Sequence, residues 1–440
     1  MPEDRIKVGF IGCGGIARSL YTGIYAALPE LAQVVAVADL VDDLAENRRQ
    51  VLKDAYQATA YGARAAADLA RADKDKDAAL HKAGAAESAA AYDIRKYGNH
   101  EDLLRDDELD MVCVLTPPAI RAVPIVAAAE AGKHVYTEGP LAKSVEEADD
   151  IVAAIKKAGV KFHSQVIDRY PRGMVVARQA IQRRLLGELG SANVEMNTYR
   201  GQAYYGPVDE SGAGFLPTTW QGTWEGEGGG AVFHHGRYII DPFLWVVGSR
   251  VKEVFAYSGP MLRTIEHDSL TQAVVKFENG ATGTILATLV SHLGGSVPGL
   301  RGRITLLGSD AAIEIDQEYS LLEQVHSDLV VASQDNPGAA EAIRALQVEL
   351  EDYPEFVTQV DQTRIFLESI LNDTEPLVPI EVPHHHVEVT RAIYQSAFEG
   401  APVTLPLNKE SPFYSFEGRL SGNPATSQTR FSSGHPFRSG

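Results

Sequence analysis

Two short segments of this sequence hold the residue types that could carry chemistry. The first is the glycine-rich run Gly12-Cys13-Gly14-Gly15-Ile16-Ala17, which fits the pattern G-x-G-x-x-A. The second is Phe233-His234-His235-Gly236-Arg237-Tyr238, which brings two imidazoles and a phenol together. An imidazole, with a reference pKa of about 6.5, suits proton transfer near neutrality, whereas a tyrosine, at about 10, needs a neighbouring cation to act as a base.

The glycine-rich run has the context that dinucleotide binding requires, because an apolar strand is predicted before it and a helix after it. Gly12 permits the tight turn, and Gly14 lets backbone N–H groups approach a pyrophosphate. The helix N-terminus near Gly15 adds partial positive charge, and Ala17 allows close packing of helix and strand. The alternative is a glycine turn in an unrelated α/β fold.

An acidic residue follows the second predicted strand. Asp39 lies 22 residues after Ala17, where a carboxylate would accept hydrogen bonds from the adenosine ribose hydroxyls. Its charge would repel a 2′-phosphate, and residues 40–43 contain no Arg or Lys to receive one. The sequence therefore predicts NAD rather than NADP.

Strands and helices alternate through the N-terminal part, which predicts an α/β domain with a Rossmann-type, doubly wound parallel sheet. Its predicted strands are Val8–Ile11, Val34–Ala38, Met111–Leu115, His134–Thr137 and Lys161–Val166. A stretch rich in Ala, Lys and Asp, from about 58 to 92, is predicted to be a helical insertion. We expect this domain to span residues 1–170.

The pattern changes after about Arg172, where strands follow one another without intervening helices. Asn279-Gly280 between two of them is a strong hairpin signal. We expect residues 171–407 to form an α+β domain with a mostly antiparallel sheet, and residues 408–440 to be a tail, either disordered or laid on a neighbouring subunit. The predicted strands are Ser191–Tyr199, Glu253–Tyr257, Thr271–Phe277, Thr282–Leu289 and Arg303–Leu307.

Charge and composition limit which binding partners and which cellular compartment we expect for this protein. A formal net charge of −19 over 440 residues argues against nucleic acid or an anionic membrane surface. The two cysteines, Cys13 and Cys113, lie inside predicted strand and turn segments, which suits a reducing cytoplasm. No signal peptide or membrane span is predicted.

Taken together, several stretches resemble the glucose-fructose oxidoreductase and inositol dehydrogenase (Gfo/Idh/MocA) family, over roughly Ile6 to Leu407. They are 9–17 (GFIGCGGIA), 116–118 (TPP), 131–142 (AGKHVYTEGPLA), 228–231 (GGGA) and 392–396 (AIYQS). The resemblance implies a nicotinamide across an interdomain cleft, a homodimer or homotetramer, and a small carbohydrate substrate. It also implies four residues lining the dinucleotide: Thr116, Pro117, Glu138 and Pro140.

The sequence differs from the family pattern at the positions where most members have their acid-base residues. Most members have Glu-Lys-Pro where this chain has Glu138-Gly139-Pro140, and members usually carry an Asp and a His at the positions of His234 and Tyr238. The resemblance places His234, His235 and Tyr238 at the catalytic centre. We expect a histidine to be the base, with Tyr238 assisting, although all three could instead be packing residues.

Other residues match places where relatives shape the substrate pocket. The expected substrate-binding residues are Tyr136, Asp168, Arg169, Tyr170, Arg200, Trp220 and Trp224. Packing is the alternative for each of them. We predict no metal, because no typical ligand spacing occurs; His384-His385-His386 reads as a surface helix start, since consecutive helical residues point in different directions.

Three functions follow as hypotheses. The first is an NAD-dependent oxidoreductase acting on a secondary hydroxyl of a sugar or glycoside, with C3 as the expected position. The second is a redox-neutral, NAD-dependent glycoside hydrolase that oxidises, eliminates, hydrates and reduces. The third is an NAD-binding protein without turnover.

Overall fold

The computed structural model describes residues 5–208, 215–217, 219–293, 301–319 and 325–417. Contacts within the chain divide it into two compact units. Unit 1 holds the chain up to 138 with 150–165 and 358–380, and unit 2 holds 139–149, 166–357 and the chain from 381. The segment 358–380 thus belongs to unit 1. The sequence predicted two continuous domains, residues 1–170 and 171–407, and so did not include this return.

Unit 1 contains a six-stranded parallel sheet in the order β3-β2-β1-β4-β5-β6. This is the strand order of doubly wound dinucleotide-binding domains, so the predicted fold class is confirmed. β2 and β4 are buried along their whole length, as expected for strands with both faces covered. The strands are β1 (Ile6–Ile11), β2 (Ala32–Ala38), β3 (Arg95–Tyr97), β4 (Met111–Val114), β5 (His134–Thr137) and β6 (Phe162–Ser164).

The long helices of unit 1 extend its core. The predicted insertion is a helical hairpin of α2 and α3, and the Tyr56 hydroxyl of α2 accepts a hydrogen bond from the Val34 N–H of β2 at 3.1 Å. A π-helical segment, Ala17–Tyr21, precedes α1. The first helices are α1 (Thr22–Ala27), α2 (Asp42–Leu69), α3 (Asp73–Ala91), α4 (His100–Leu104), α5 (Ala122–Glu130) and α6 (Val145–Ala158), the last of which runs from unit 2 into unit 1.

Unit 2 contains a nine-stranded sheet in the order β14-β13-β12-β11-β7-β10-β9-β8-β15. All neighbours are antiparallel except β7 and β10, and Asn279-Gly280 joins β9 to β10 as predicted, with φ 92° at Gly280. The strands are β7 (Leu189–Asn197), β8 (Val251–Gly259), β9 (Leu270–Phe277), β10 (Thr282–Thr288), β11 (Arg301–Gly308), β12 (Ala312–Tyr319), β13 (Val325–Ala332), β14 (Phe356–Val357) and β15 (Val403–Thr404).

The remaining helices belong to unit 2, with the exception of α12. They are α7 (Arg172–Gln182), α8 (Gln202–Tyr205), α9 (Trp224–Glu227), α10 (Ile240–Val247), α11 (Pro337–Glu349), α12 (Gln359–Leu371, in unit 1) and α13 (Glu381–Glu399). Within the described ranges, no helix has both the length and the apolar character to cross a bilayer.

The expected C-terminal tail is described only at its start. Phe413 and Tyr414 are buried, and the Tyr414 carbonyl accepts hydrogen bonds from Val145 N and Glu146 N at the beginning of α6. This part of the tail therefore packs on its own chain. The rest of the predicted tail, residues 418–440, lies outside the described residues.

The histidine triplet is buried more deeply than the sequence suggested. His385 and His386 lie inside α13 and are 6% and 1% exposed, because α13 packs along β8. His385 Nε2 accepts a hydrogen bond from Val251 N at 3.0 Å, and the His386 ring stacks parallel to Phe233 with centroids 6.0 Å apart. The expectation of a surface position was wrong for these two residues.

Burial lowers the pKa of His386 to about 3, whereas an unfolded imidazole titrates near about 6.5. Between these values the unfolded chain binds a proton that the folded chain does not, so His386 makes the free energy of unfolding fall as the pH is lowered. The slope is about 1.4 kcal/mol per pH unit. We predict that His386→Gln removes this contribution in denaturant titrations across that range, and equal slopes in both proteins would contradict it.

Candidate functional site

The glycine-rich turn lies in unit 1, between β1 and a helical stretch that starts at Gly15. Gly12 has φ 93°, and a Cβ there would lie 3.1 Å from the backbone carbonyl carbon of Leu115, so the position requires glycine. A Cβ at Gly14 or Gly15 would meet no atom within 4 Å, which leaves the backbone of the turn open to a ligand. The turn therefore fits the pyrophosphate of a dinucleotide.

Asp39 is fixed beside this turn. Its Oδ2 accepts a hydrogen bond from Cys13 N at 2.7 Å, and its Oδ1 accepts one from Val41 N at 2.9 Å. A carboxylate has about four acceptor positions, so positions remain for ribose hydroxyls. Burial raises the pKa of the Cys13 thiol to about 12, which keeps it protonated and inert.

Arg48 supports the turn from α2 and was missed by the sequence analysis. Its guanidinium is buried and donates to the Cys13 carbonyl at 3.3 Å and to Thr22 Oγ1 at 3.0 Å. It places a positive charge beneath the phosphate-binding turn. The only signal was an arginine nine residues after Asp39, too weak a pattern to interpret.

The expected nicotinamide-side residues follow β4 and β5, neighbouring strands whose carboxyl ends meet at one sheet edge. Thr116 Oγ1 is buried without a hydrogen-bond partner among the described residues, and Pro117 beside it is exposed. Glu138 Oε1 accepts a hydrogen bond from the Tyr21 hydroxyl at 2.6 Å. Pro140, two residues later, belongs to unit 2. The open glycine turn, Asp39 and the unpartnered Thr116 hydroxyl together fit NAD.

Tyr136 lies in the core of unit 1, with no exposed surface. Its ring packs edge-on against Tyr21 and Phe366, at 5.7 and 5.8 Å between centroids, and against His163 at 4.9 Å. This placement gives it a packing role behind Glu138. Substrate contact at Tyr136 stays a prediction.

In unit 2, the glycine triplet 228–230 is held by two buried residues. A Cβ at Gly229 would lie 2.3 Å from the Tyr394 hydroxyl, and one at Gly230 would lie 2.0 Å from the Asp268 carbonyl oxygen. The Asp268 side chain accepts hydrogen bonds from Gly230 N at 2.8 Å and Tyr394 Oη at 2.6 Å through Oδ1, and from Val232 N at 2.9 Å through Oδ2. These contacts explain why the triplet contains only glycine.

The triplet leads into the π-helical segment Gly230–His235, which ends at the two candidate histidines. His234 Nε2 and His235 Nε2 each lie 3.9 Å from Glu227 Oε1, too far for a hydrogen bond. The Glu227 side chain is fully buried, that of His235 is 5% exposed, and that of His234 is 12% exposed. His234 is thus the more accessible imidazole.

Glu227 and His267 form a buried pair behind these histidines. Glu227 Oε2 lies 2.5 Å from His267 Nε2 and accepts a hydrogen bond from Gly222 N at 2.6 Å. Burial lowers the pKa of His267, but the charge of Glu227 outweighs this effect and the net pKa is raised. Burial, followed by the charges of Arg200 and Arg237, holds the pKa of His235 well below its usual value. His235 is therefore neutral and His267 favours the charged form.

Tyr238 has the neighbouring cation that a tyrosine base needs. The Arg237 guanidinium lies 4.1 Å from the Tyr238 ring centroid and donates a hydrogen bond to its hydroxyl. Arg237 also donates to the His234 carbonyl at 2.6 Å, which ties Tyr238 to the histidine turn. Tyr238 is partly exposed.

Several predicted substrate residues surround this group. The Trp220 ring lies 5.5 Å from that of His234, and the Tyr204 ring, which the sequence analysis did not select, lies 5.9 Å from that of His235. The Arg200 guanidinium lies 5.5 Å from the Tyr204 ring centroid. Trp224 is 7% exposed and packs on Tyr394 and His267, so it supports the site from within.

The predicted stretch 168–170 is buried. Arg169 pairs with Asp241, at 2.6 Å between Arg169 Nε and Asp241 Oδ1, and Asp168 Oδ1 accepts a hydrogen bond from Gln317 Nε2 at 2.7 Å. Tyr170 packs in a small apolar cluster with Val325 and Val357. These contacts hold helices to the sheet of unit 2, and a role in substrate binding stays a prediction.

The sequence matches two family models. One, described as "Oxidoreductase family, C-terminal alpha/beta domain", matches residues 178–405, and the other, "Oxidoreductase family, NAD-binding Rossmann fold", matches residues 78–166. Each match covers part of one or both units, and together they include 78–166 and 178–405.

Curated relatives have more specific names. A 2,7-anhydro-N-acetylneuraminate hydratase of Escherichia coli is 27% identical over 182 residues, which are 40% of this chain and 45% of that protein. A myo-inositol 2-dehydrogenase of Thermotoga maritima is 29% identical over 230 residues, 50% of this chain and 61% of that protein. The chain spans about half the length of the first curated relatives it matches.

Solved structures share the fold over nearly the whole chain. The WlbA dehydrogenase from Bordetella pertussis, solved with NADH and UDP-GlcNAcA, has a TM-score of 0.65 at 22% identity and covers 93% of this chain and 100% of its own. A levoglucosan dehydrogenase solved with NADH has a TM-score of 0.63 at 17% identity, with 92% and 100% covered. The chain therefore belongs to the Gfo/Idh/MocA oxidoreductase family, with an NAD-binding Rossmann domain and the family's C-terminal α/β domain.

Proposed function

We propose that this protein is an NAD-dependent oxidoreductase that oxidises a secondary hydroxyl, at C3, of a sugar or glycoside. The observation that carries the proposal is the gathering of Glu227, His234, His235 and His267 beside the glycine triplet, in a chain with an NAD-binding domain. The names of its relatives, an inositol dehydrogenase and a levoglucosan dehydrogenase, support a polyol substrate. Bound NAD supplies the hydride acceptor.

The chain's own task is to take the hydroxyl proton as the hydride leaves, which needs a base within about 3 Å of that hydroxyl. His234 and Tyr238 are the partly exposed candidates, whereas His235 is buried. Glu227 Oε1, 3.9 Å from His234 Nε2, would stabilise an imidazolium formed there. Arg237 would in the same way stabilise a tyrosinate at Tyr238. We assign the proton to one of these two side chains.

The aromatic rings of Trp220 and Tyr204 suit the apolar face of a sugar ring, and Arg200 suits a hydroxyl or an anionic substituent. We further propose that the protein is a homodimer or homotetramer, assembled through the exposed sheet face that carries Tyr257, Val274 and Val330. Two buried, unpaired thiols suit a cytoplasmic protein.

A second candidate is a redox-neutral glycoside hydrolase, favoured by the number of acid-base groups. In that cycle C3 is oxidised, the C2 proton is removed, and the C1–O bond breaks with protonation of the leaving group. Water then adds across C1 and C2, and the stored hydride returns to C3, so the net reaction is hydrolysis. Simple oxidation needs one base, whereas this cycle needs further groups near C1 and C2, for which His234, His235 and Tyr238 are the candidates. A relative named as an anhydro-sugar hydratase supports it.

Asp39 should set the preference for NAD. We predict that Asp39→Asn weakens NADH binding about tenfold to a hundredfold, because charge-assisted hydrogen bonds to ribose contribute about 1.5–3 kcal/mol. NADPH binding should weaken less, since the repulsion of the 2′-phosphate is relieved. Fluorescence titration of both nucleotides measures this, with the exposed Asp42→Asn as the matched control. Equal losses for the two nucleotides would show that Asp39 acts only on the loop.

The proton acceptor can be identified by paired substitutions. We predict that His234→Ala or Tyr238→Phe, whichever removes the base, lowers kcat by about 10²–10⁴ and leaves NADH affinity unchanged. Tyr61→Phe, on the exposed surface of α2, is the control and should retain full activity. Full activity in both test variants would refute the assignment, and wild-type protein without turnover on any polyol would favour an NAD-binding protein.

One assay separates oxidation from the redox-neutral cycle. The protein is incubated with NAD and aryl glycosides or free sugars, and NADH absorbance and aglycone release are followed together. Net oxidation predicts one NADH for each substrate consumed. The hydrolytic cycle predicts many aglycones for each NAD present and no accumulation of NADH.

A further inference from the structure

Two buried polar atoms face each other beside the catalytic segment without a hydrogen bond. Glu227 Oε1 and His235 Nε2 have no hydrogen-bond partner among the described residues, and both side chains are at least nine-tenths buried. The two atoms are 3.9 Å apart, and His234 Nε2 lies at the same distance from Glu227 Oε1. Three potential ligand atoms thus surround one point.

We propose that Glu227 Oε1, His234 Nε2 and His235 Nε2 bind one divalent transition-metal ion. The three atoms lie within 4.8 Å of one another. Ligands about 2.1 Å from a tetrahedral ion are about 3.4 Å apart, so each 3.9 Å distance from Glu227 Oε1 to a histidine would shorten by about 0.5 Å when the ion binds. Two imidazoles and a carboxylate are the donors that proteins use for Zn²⁺ and non-haem Fe²⁺ sites with open positions.

The environment of Glu227 orients it for this role. Its other oxygen, Oε2, is held by His267 at 2.5 Å and by Gly222 N at 2.6 Å, so Oε1 is turned toward the two histidines. Metal-binding carboxylates are commonly fixed by such outer hydrogen bonds.

The nearby cations do not occupy the site. Arg237 donates to Tyr238 and to the His234 carbonyl, and Arg200 lies over the Tyr204 ring. Their charge would favour an anionic oxygen as a further ligand of the ion. With both imidazole lone pairs coordinated, Tyr238 becomes the proton acceptor in the proposed reaction.

This site revises the sequence prediction of no metal. That prediction rested on the absence of typical ligand spacings in the sequence, whereas these two histidines are adjacent at the end of a π-helical segment. Their rings are nearly perpendicular, at 88°, with centroids 5.1 Å apart, and the third ligand comes from α9.

The test is direct binding of Zn²⁺ to the full-length protein after removal of metals with a chelator, measured by competition with a chromophoric chelator. Co²⁺ replaces Zn²⁺ in a second titration, where visible absorption bands report coordination by protein nitrogen and oxygen. Neither titration contains substrate. A failure of the metal-site proposal can therefore be distinguished from a failure of the proposed oxidoreductase function.

We expect one Zn²⁺ per chain, with binding weakened at least about 100-fold by Glu227→Gln or His234→Ala and about 10–100-fold by the supporting His267→Gln. His386→Gln, a buried histidine outside the cluster, should bind as the wild type does. If Glu227→Gln fails to fold by circular dichroism, His234→Ala carries the test, because its ring is partly exposed. Wild-type protein that saturates no site at one equivalent, or a folded His234→Ala protein with undiminished affinity, would overturn the proposal.

Discussion

The geometry of the glycine turn in the second unit depends on the buried carboxylate of Asp268. Its side chain accepts four hydrogen bonds, from two backbone N–H groups of the glycine turn, from the Tyr394 hydroxyl and from Thr271 Oγ1 at 2.8 Å. Every lone-pair region is therefore used, which makes this buried charge tolerable. Because the turn it holds leads directly into His234 and His235, Asp268 contributes to the positions of both histidines.

The carboxylate of Glu227 is hydrogen-bonded differently from that of Asp268, because only one of its two oxygens has partners among the described residues. One oxygen is held by His267 and Gly222, while the other faces two imidazoles at 3.9 Å without a hydrogen bond. A fully buried carboxylate with one free oxygen is costly unless it meets a proton or a cation. The same feature serves both proposals, since it would stabilise either an imidazolium or a bound metal ion.

Much of the fold could be predicted from the sequence because its signals are local. The G-x-G-x-x-A turn, Asp39 and the Asn279-Gly280 hairpin each rest on backbone conformation or strand alternation within a few residues. The return of segment 358–380 to unit 1 could not be predicted, because it depends on packing between residues far apart in the chain.

The candidate site was predicted only where a family position pointed to it. His234, His235 and Tyr238 were selected in this way, but Glu227, His267 and Asp268 were not. Glu227 directly precedes the triplet. His267 and Asp268 are polar residues in a loop between strands, where exposure is expected, yet both His267 and Asp268 are buried. Their role arises from contacts across 38 to 126 residues of sequence, which no local pattern encodes.

The loss of the family's lysine at Gly139 has a structural consequence. Here every proposed acid-base group lies in unit 2, on the stretch from Glu227 to Tyr238 and at His267. In the proposed reaction, proton transfer would therefore depend on one turn. The Asp268 and Tyr394 contacts hold that turn, and neither Gly229 nor Gly230 has room for a Cβ. The replaced residues and the crowded triplet thus fit one arrangement, in which the proposed acid-base groups lie on a segment whose backbone is held by buried hydrogen bonds.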